Sequence, residues 1–228
     1  GASAFGSSAF AMGEFATAVG YGTVSEGVGA VALGAFAQAY GESSVALGDG
    51  AYAAEIGATA TGGYASAEGA YSTATGYEAV ASGLQGTATG FRSEASGDAS
   101  AAYGGYTVAS GFGASALGYG ANAVGDGATA VGFGSDASGE SAVAVGEGAN
   151  ASGFNSVAVG GSSFFGLLPT EATGDYATAL GAAAYAPGYN STALGAWSMA
   201  SGDDSIALGM DAFASAESSV ALGVGSEA

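Results

Sequence analysis

Twenty carboxylates face a single cation, Arg92, in a chain of 228 residues that holds no histidine, lysine or cysteine. These residue types remove whole classes of chemistry. Neither a Ser-His-Asp nor a Cys-His nucleophile can be assembled. No disulfide or thiolate metal site can form. Paired carboxylates remain. A glycosidase needs two such groups opposed across a cleft, whereas Asp203 and Asp204, the densest pair, are adjacent in the chain. Adjacent acids on a turn are more often solvated. Stacked turn carboxylates could hold Ca²⁺ weakly, with Asp203, Asp204 and Asp211 as the candidates, but the GGxGxDxUx nonapeptide of calcium-binding rolls is absent. No other cofactor and no catalysis are expected. The formal charge of −19 argues against nucleic acid, which needs a Lys/Arg footprint. It also argues against an anionic membrane. No apolar run is long enough to span a bilayer.

The acids are not scattered. Thirteen of the 20, with Asp49, Asp98, Asp126, Glu140, Glu147 and Asp175 among them, occupy two fixed places of a seven-residue repeat, as do 15 of the 24 aromatic residues. Steps of seven from Gly6 give 32 positions, of which 29 are Gly; Glu55, Leu167 and Ala216 are the exceptions. Two residues earlier stands Ala, at 30 of the 32, broken by Ser25 and Phe165. Four residues earlier the residue is always Ala, Ser, Thr or Gly. The unit is small-x-Ala-x-Gly-x-x, and the acids and aromatics take its last two places. A repeat this regular decides the architecture.

Alternation with period two is the mark of a strand. Each heptad reads as a strand of about five residues and a two-residue turn, and identical short strands stack as a parallel β-solenoid. The small residues point inward, toward a second sheet that lies very close. Collagen is excluded, since it needs Gly every third residue and abundant proline. The x positions point outward, and in them a second period appears. Alternate heptads carry pairs such as Val31/Leu33, Val45/Leu47, Val143/Val145 and Val157/Val159. The heptads between carry Val24/Glu26, Gln38/Tyr40, Ser66/Glu68 and Asp136/Ser138. The coil is therefore 14 residues in two 7-residue halves. All five acids beside the conserved Ala, namely Glu26, Glu68, Glu94, Asp136 and Glu171, lie in the polar half, while the 32 outward positions of the other half carry no charge.

An exposed apolar stripe marks an interface, and copies of one chain cover it most simply around a rotation axis. The residues expected to be covered are Val31, Leu33, Val45, Leu47, Leu117, Val131, Val143, Val145, Val157, Val159, Leu180, Leu194, Ile206, Leu208, Val220 and Leu222.

Four segments, Ser43-Ser44-Val45-Ala46-Leu47-Gly48, Asn155-Ser156-Val157-Ala158-Val159-Gly160, Asp204-Ser205-Ile206-Ala207-Leu208-Gly209 and Ser218-Ser219-Val220-Ala221-Leu222-Gly223, resemble the head repeat of trimeric autotransporter adhesins of the YadA type. Ala79-Val80-Ala81-Ser82-Gly83 is similar to the other half of that repeat. The resemblance covers nearly the whole chain. It implies an all-β, left-handed parallel β-roll, assembled as a homotrimer on the bacterial cell surface. It further implies adhesion to an extracellular protein or glycan receptor. The neck, coiled-coil stalk and membrane-anchor barrel of that family are missing, so this segment is expected to make no membrane contact. The chain begins and ends in mid-pattern and reads as part of a longer array. A phage or secreted fibre segment would carry similar repeats.

The repeat breaks in informative places. Thr59/Thr61, Thr73/Thr75 and Thr87/Thr89 replace the apolar pairs in three consecutive coils. They read either as a polar, hydrated stretch of the interface or as a short ice-binding face, since Thr-x-Thr rows resemble those of some antifreeze solenoids. From Val159 to Leu180 the step is 21 residues, one heptad too many. Phe164, Phe165, Leu167, Leu168 and Pro169 fall in the gap, which predicts β-roll over 1–160, an inserted loop over 161–173 and β-roll again over 174–228. The loop is expected to pack on a neighbouring coil or chain, with a projecting binding loop as the other reading. Glu55 should strain or widen its turn. The turn aromatics Tyr64, Tyr71, Tyr77, Phe112, Tyr119, Tyr176, Tyr189 and Trp197 are the candidate recognition groups, with stacking between coils as their plainer role.

Overall fold

A computed structural model describes residues 1–162 and 168–228. The chain divides into two compact units, Gly1–Gly113 and Ala114–Ala228, and the same coil is built in each. In the first unit, strands such as Val31–Leu33, Val45–Leu47 and Thr59–Thr61 form one parallel sheet. Strands such as Gln38–Ala39, Tyr52–Ala53 and Ser66–Ala67 form a second. In the second unit Val143–Val145 and Val157–Val159 belong to the three-residue sheet, and Asp136–Ala137 and Asn150–Ala151 to the two-residue sheet. Pairing advances by 14 residues in strict register, as in Val31↔Val45, Ala32↔Ala46 and Leu33↔Leu47.

The ladders are shorter than the five residues read from the sequence, and the two halves differ. A three-residue strand ends in a single bond, as where the Gly76 N–H donates to the Thr61 carbonyl at 2.8 Å. Several two-residue strands end with two donors on one acceptor. Ser82 N–H and Gly83 N–H both reach the Ala95 carbonyl, at 3.0 and 3.3 Å.

The interior is as thin as the repeat requires. The buried apolar side chains are alanines, and the largest fully buried side chains are Thr23, Thr107 and Thr170. Each interior methyl removes little area from water, about 0.8 kcal/mol per carbon. The backbone ladders must therefore supply most of the cohesion. Ser25, which replaces an Ala, fits because its Oγ donates to the Ala30 carbonyl at 2.9 Å inside the coil.

Two kinds of turn join the strands. After a three-residue strand, the heptad Gly is left-handed: Gly76 has φ +133°, and a Cβ there would stand 2.4 Å from the Gly90 carbonyl oxygen. After a two-residue strand, Gly83 has no positive φ, and only space opposes a side chain, its Cβ falling 2.0 Å from the Gly97 carbonyl oxygen. Glu55 stands in this second class. The expected strain does not show at its turn. Glu55 has no positive φ, and its carbonyl accepts from Ala58 N–H at 3.1 Å, the same length as Ser44 N–H to Gly41. The ladder of Tyr52 and Ala53 on Ser66 and Ala67 is kept.

The insertion is absorbed without loss of register. Val157 pairs with Thr178 and Val159 with Leu180 directly. Asn150 pairs with Glu171 and Ala151 with Ala172. Thr170, Glu171 and Ala172, read from sequence as part of the loop, thus belong to the regular coil, because the ladder takes up the chain as soon as the small-x-Ala pattern returns. The Thr170 hydroxyl fixes this re-entry, donating to the Gly181 carbonyl at 2.7 Å. Phe164, Phe165 and Leu167 lie outside the described residues.

Candidate functional site

The outward faces of the two sheets in each unit are chemically unlike. In the first unit Val31, Val45 and Leu47 stand half-buried on the three-residue sheet, and Leu33 is 48 % exposed. In the second, Val131, Val143, Val145, Val157 and Val159 are half-buried on that sheet, while Leu117, Leu180, Leu194, Ile206, Leu208, Val220 and Leu222 are exposed. Glu94 on the two-residue sheet of the first unit, and Asp136 and Glu171 on that of the second, mark the other face. The threonines stack in register, Thr59↔Thr73↔Thr87 and Thr61↔Thr75↔Thr89. This patch is bounded by Val45 and Leu47 on one side and by Ala101 and Tyr103 on the other.

The second turn residue takes a left-handed backbone conformation, and aromatic side chains accept it. Tyr64, Tyr71, Tyr176 and Trp197 have φ of 56°, 57°, 58° and 63°. Such a conformation is unfavourable for a bulky residue. Neighbouring coils offset it. The Tyr71 ring lies over Gly57 and the Tyr64 ring over Gly50, each so close that a Cβ on the glycine would come within 2.8 to 2.9 Å of a ring carbon. Glycine one coil earlier makes the space into which the ring folds.

These rings form ladders. In the first unit Tyr64, Tyr77, Phe91 and Tyr106 follow one another with ring centroids 5.9, 5.9 and 5.2 Å apart. In the second, Tyr119 stacks on Phe133 at 5.6 Å, and Phe154, Tyr176 and Tyr189 succeed each other at 5.4 and 5.7 Å. The outer surfaces of the rings stay open; Phe112 is 65 % exposed. Arg92 sits on the first ladder. Its guanidinium lies 5.2 Å from the Phe91 ring centroid and pairs through Nε with Glu78. That hydrogen bond holds the Glu78 carboxyl below the usual carboxylate range. Partial desolvation, and next the Glu78 charge, push the Tyr77 phenol up.

Four turn acids have a local task. Asp98 Oδ1 accepts from the Leu84 N–H, Asp175 Oδ1 from Phe154 and Asp203 Oδ1 from Tyr189, all at 2.9 Å. Asp204 Oδ1 accepts from Asn190 Nδ2 at 2.8 Å. In each case the acid binds the same turn one coil earlier. Asp203 and Asp204, the first metal candidates, thus spend oxygen atoms on stitching coils. Asp211 is held in the left-handed second turn position. Among the described residues no group of three acids converges on one point.

One concavity stands out from the repeat. A cleft of ≈ 420 Å³ opens on the outer face of the two-residue sheet in the second unit. Its floor is the column Glu171, Tyr185 and Met199, paired strand to strand. Pro169, Ala183 and Trp197, each two residues earlier in successive coils, line one edge, with Leu168 beside Pro169 where the insertion returns. The sequence pattern singled out Trp197, Leu168 and Pro169 but missed Glu171, Tyr185 and Met199 as a group. Their spacing of 14 was available as a signal, because residues one coil apart are strand neighbours.

Comparison with known proteins agrees with this geometry. No curated protein matches the chain. The family description YadA head domain repeat (2 copies) matches residues 1–23, 25–51, 53–79, 81–107, 109–135, 137–163, 172–198 and 200–226. Each match spans about two coils, and the widest gap, 164–171, falls on the insertion. That family is structural and adhesive, not enzymatic. By repeat, coil and register, the chain belongs to the YadA head domain repeat family.

Proposed function

We propose that this chain forms the head of a homotrimeric surface adhesin, with the outer faces of its three-residue sheets packed against its partners. The observation that carries this reading is the complete absence of charge from the 32 outward positions of that sheet in a chain of net charge −19. A solvated face of so acidic a protein would be expected to share the acids. Covering Val, Leu and Ile there removes apolar area from water at about 25 cal/mol per Å². The acidic two-residue faces would stay outside. The aromatic ladders at the turns supply flat, amphipathic surfaces for an extracellular protein or glycan receptor. Weak contacts repeated along three chains add by avidity.

Native mass spectrometry tests the assembly. The expected particle is three times the 21.1 kDa chain; a monomer throughout the micromolar range sinks the proposal. For recognition, a Tyr64→Ser/Tyr77→Ser variant should bind immobilised matrix proteins or glycans more weakly with its trimer intact. Unchanged binding would remove the ladders from that role. The register of the six threonines favours one further reading, an ice-binding patch. It predicts thermal hysteresis that falls on Thr73→Tyr, and no hysteresis at high concentration would dismiss it.

A further inference from the structure

We propose that the cleft beside the insertion is a binding site for an ammonium group with apolar substituents. The site lies within one chain and is independent of the trimer. Tyr185 and Met199 lie on its floor, Leu168, Pro169 and Trp197 along its edge, and Glu171 is the one carboxylic acid among the lining residues. Its volume of ≈ 420 Å³ is in the range of small-ligand clefts. Among the described residues, no hydrogen bond or ion pair engages the Glu171 carboxylate. Nor can another side chain supply a cation, because the single basic residue, Arg92, is already paired with Glu78. A half-buried carboxylate without a partner, beside two aromatic rings, favours a positive charge that is weakly hydrated. Cation–π contact with Trp and Tyr and the carboxylate act on the same group. Anions are opposed by Glu171 and by the surplus of acids around it. Neutral apolar ligands gain the walls but not the charge. The cleft is also peculiar to this chain's insertion. The family match lapses over 164–171, and no other turn among the described residues follows an insertion.

Trp197 is the only tryptophan of the chain, so its fluorescence reports the cleft directly. The probe is choline, compared with its neutral isostere 3,3-dimethylbutan-1-ol, titrated into the full chain at low salt. Choline should give a saturable change, with the isostere about tenfold weaker and Glu171→Gln about threefold weaker for choline alone. Tyr185→Leu, a second variant, should weaken choline and leave the isostere unchanged, with the strand signal in circular dichroism intact for both variants. Equal affinity for choline and its isostere overturns the proposal. So does unchanged choline affinity in both variants, or no saturable change up to about 50 mM. Loss of trimer or of receptor binding would leave these outcomes untouched.

Discussion

The two halves of a coil share one heptad in sequence and use it differently. In the half that carries Val and Leu, the heptad glycine is left-handed, as at Gly76 with φ +133°; in the half that carries the acids, Gly83 has no positive φ. Hydroxyl groups follow the same division. Behind the left-handed glycine, the turn's backbone bond is long, as in Ser93 N–H to Gly90 at 3.5 Å, and the Ser93 hydroxyl reaches the same carbonyl at 3.1 Å. Thr23 and Thr107 likewise donate, to Gly20 at 2.9 Å and Gly104 at 2.8 Å. Behind the other glycine the backbone bond is shorter, as in Ser72 N–H to Gly69 at 3.1 Å. There the carbonyl is satisfied, and the buried hydroxyls of Ser44, Ser72 and Ser100 have no partner. Equivalent letters in a repeat are not equivalent in energy; the backbone decides which glycine is needed for its φ and which hydroxyl is useful.

The outer faces give the largest test of this contrast. Val145→Asp should convert the proposed trimer to monomer, costing about 3–5 kcal/mol for a buried, unpaired charge. Ser138→Asp, on the two-residue side, should leave the mass unchanged. If both dissociate the particle, the assignment of faces is wrong. Next come the glycines. Gly76→Ala meets both a forbidden φ and a carbonyl, and should lose about 3–5 kcal/mol in thermal unfolding. Gly83→Ala meets only the carbonyl and should lose about 1–3 kcal/mol, since Glu55 shows that this class can admit a Cβ. Equal losses would erase the distinction between the turns. The hydroxyls should move in opposite directions. Ser72→Ala removes an unsatisfied buried group and should gain about 1 kcal/mol, whereas Thr107→Val removes a bonded one and should lose about 1 kcal/mol. Urea midpoints at constant m-value would read both.

The smallest effect belongs to the exposed Arg92–Glu78 pair. Arg92 lowers the folded Glu78 carboxyl below its unfolded value of about 4.3. The pair's contribution is therefore present above that value and is lost as pH falls through the lower folded one. An NMR titration should find Glu78 depressed, returning toward the ordinary range in Arg92→Gln. No change on that substitution would detach the pair from the ladder.

Much of this was legible in the chain. Val159 to Leu180 announced seven extra residues, because a register kept everywhere else can be broken only by an insertion. The sequence expectation of re-entry at 174 comes too late: Thr170, Glu171 and Ala172 already pair in the coil, and the bulky residues before them hide the returning small-x-Ala pattern. Glu55 looks like a defect in sequence because all heptad glycines look alike there. In sequence, Asp98, Asp175 and Asp203 look like solvated or cation-binding turn acids. Their bonds to backbone N–H groups one coil earlier depend on which turns stack, and that is a three-dimensional matter.

The sequence by itself determined the coil length, the small interior and the uncharged face, because period-two alternation and a 14-residue repeat allow few other ways to bury alanine and expose valine. Only the tertiary structure decided which glycine is left-handed, which hydroxyl has a partner and where a cleft opens. Those depend on the close approach of one coil to the next. Glu171, Tyr185 and Met199 become a single surface only when stacked strands bring them side by side.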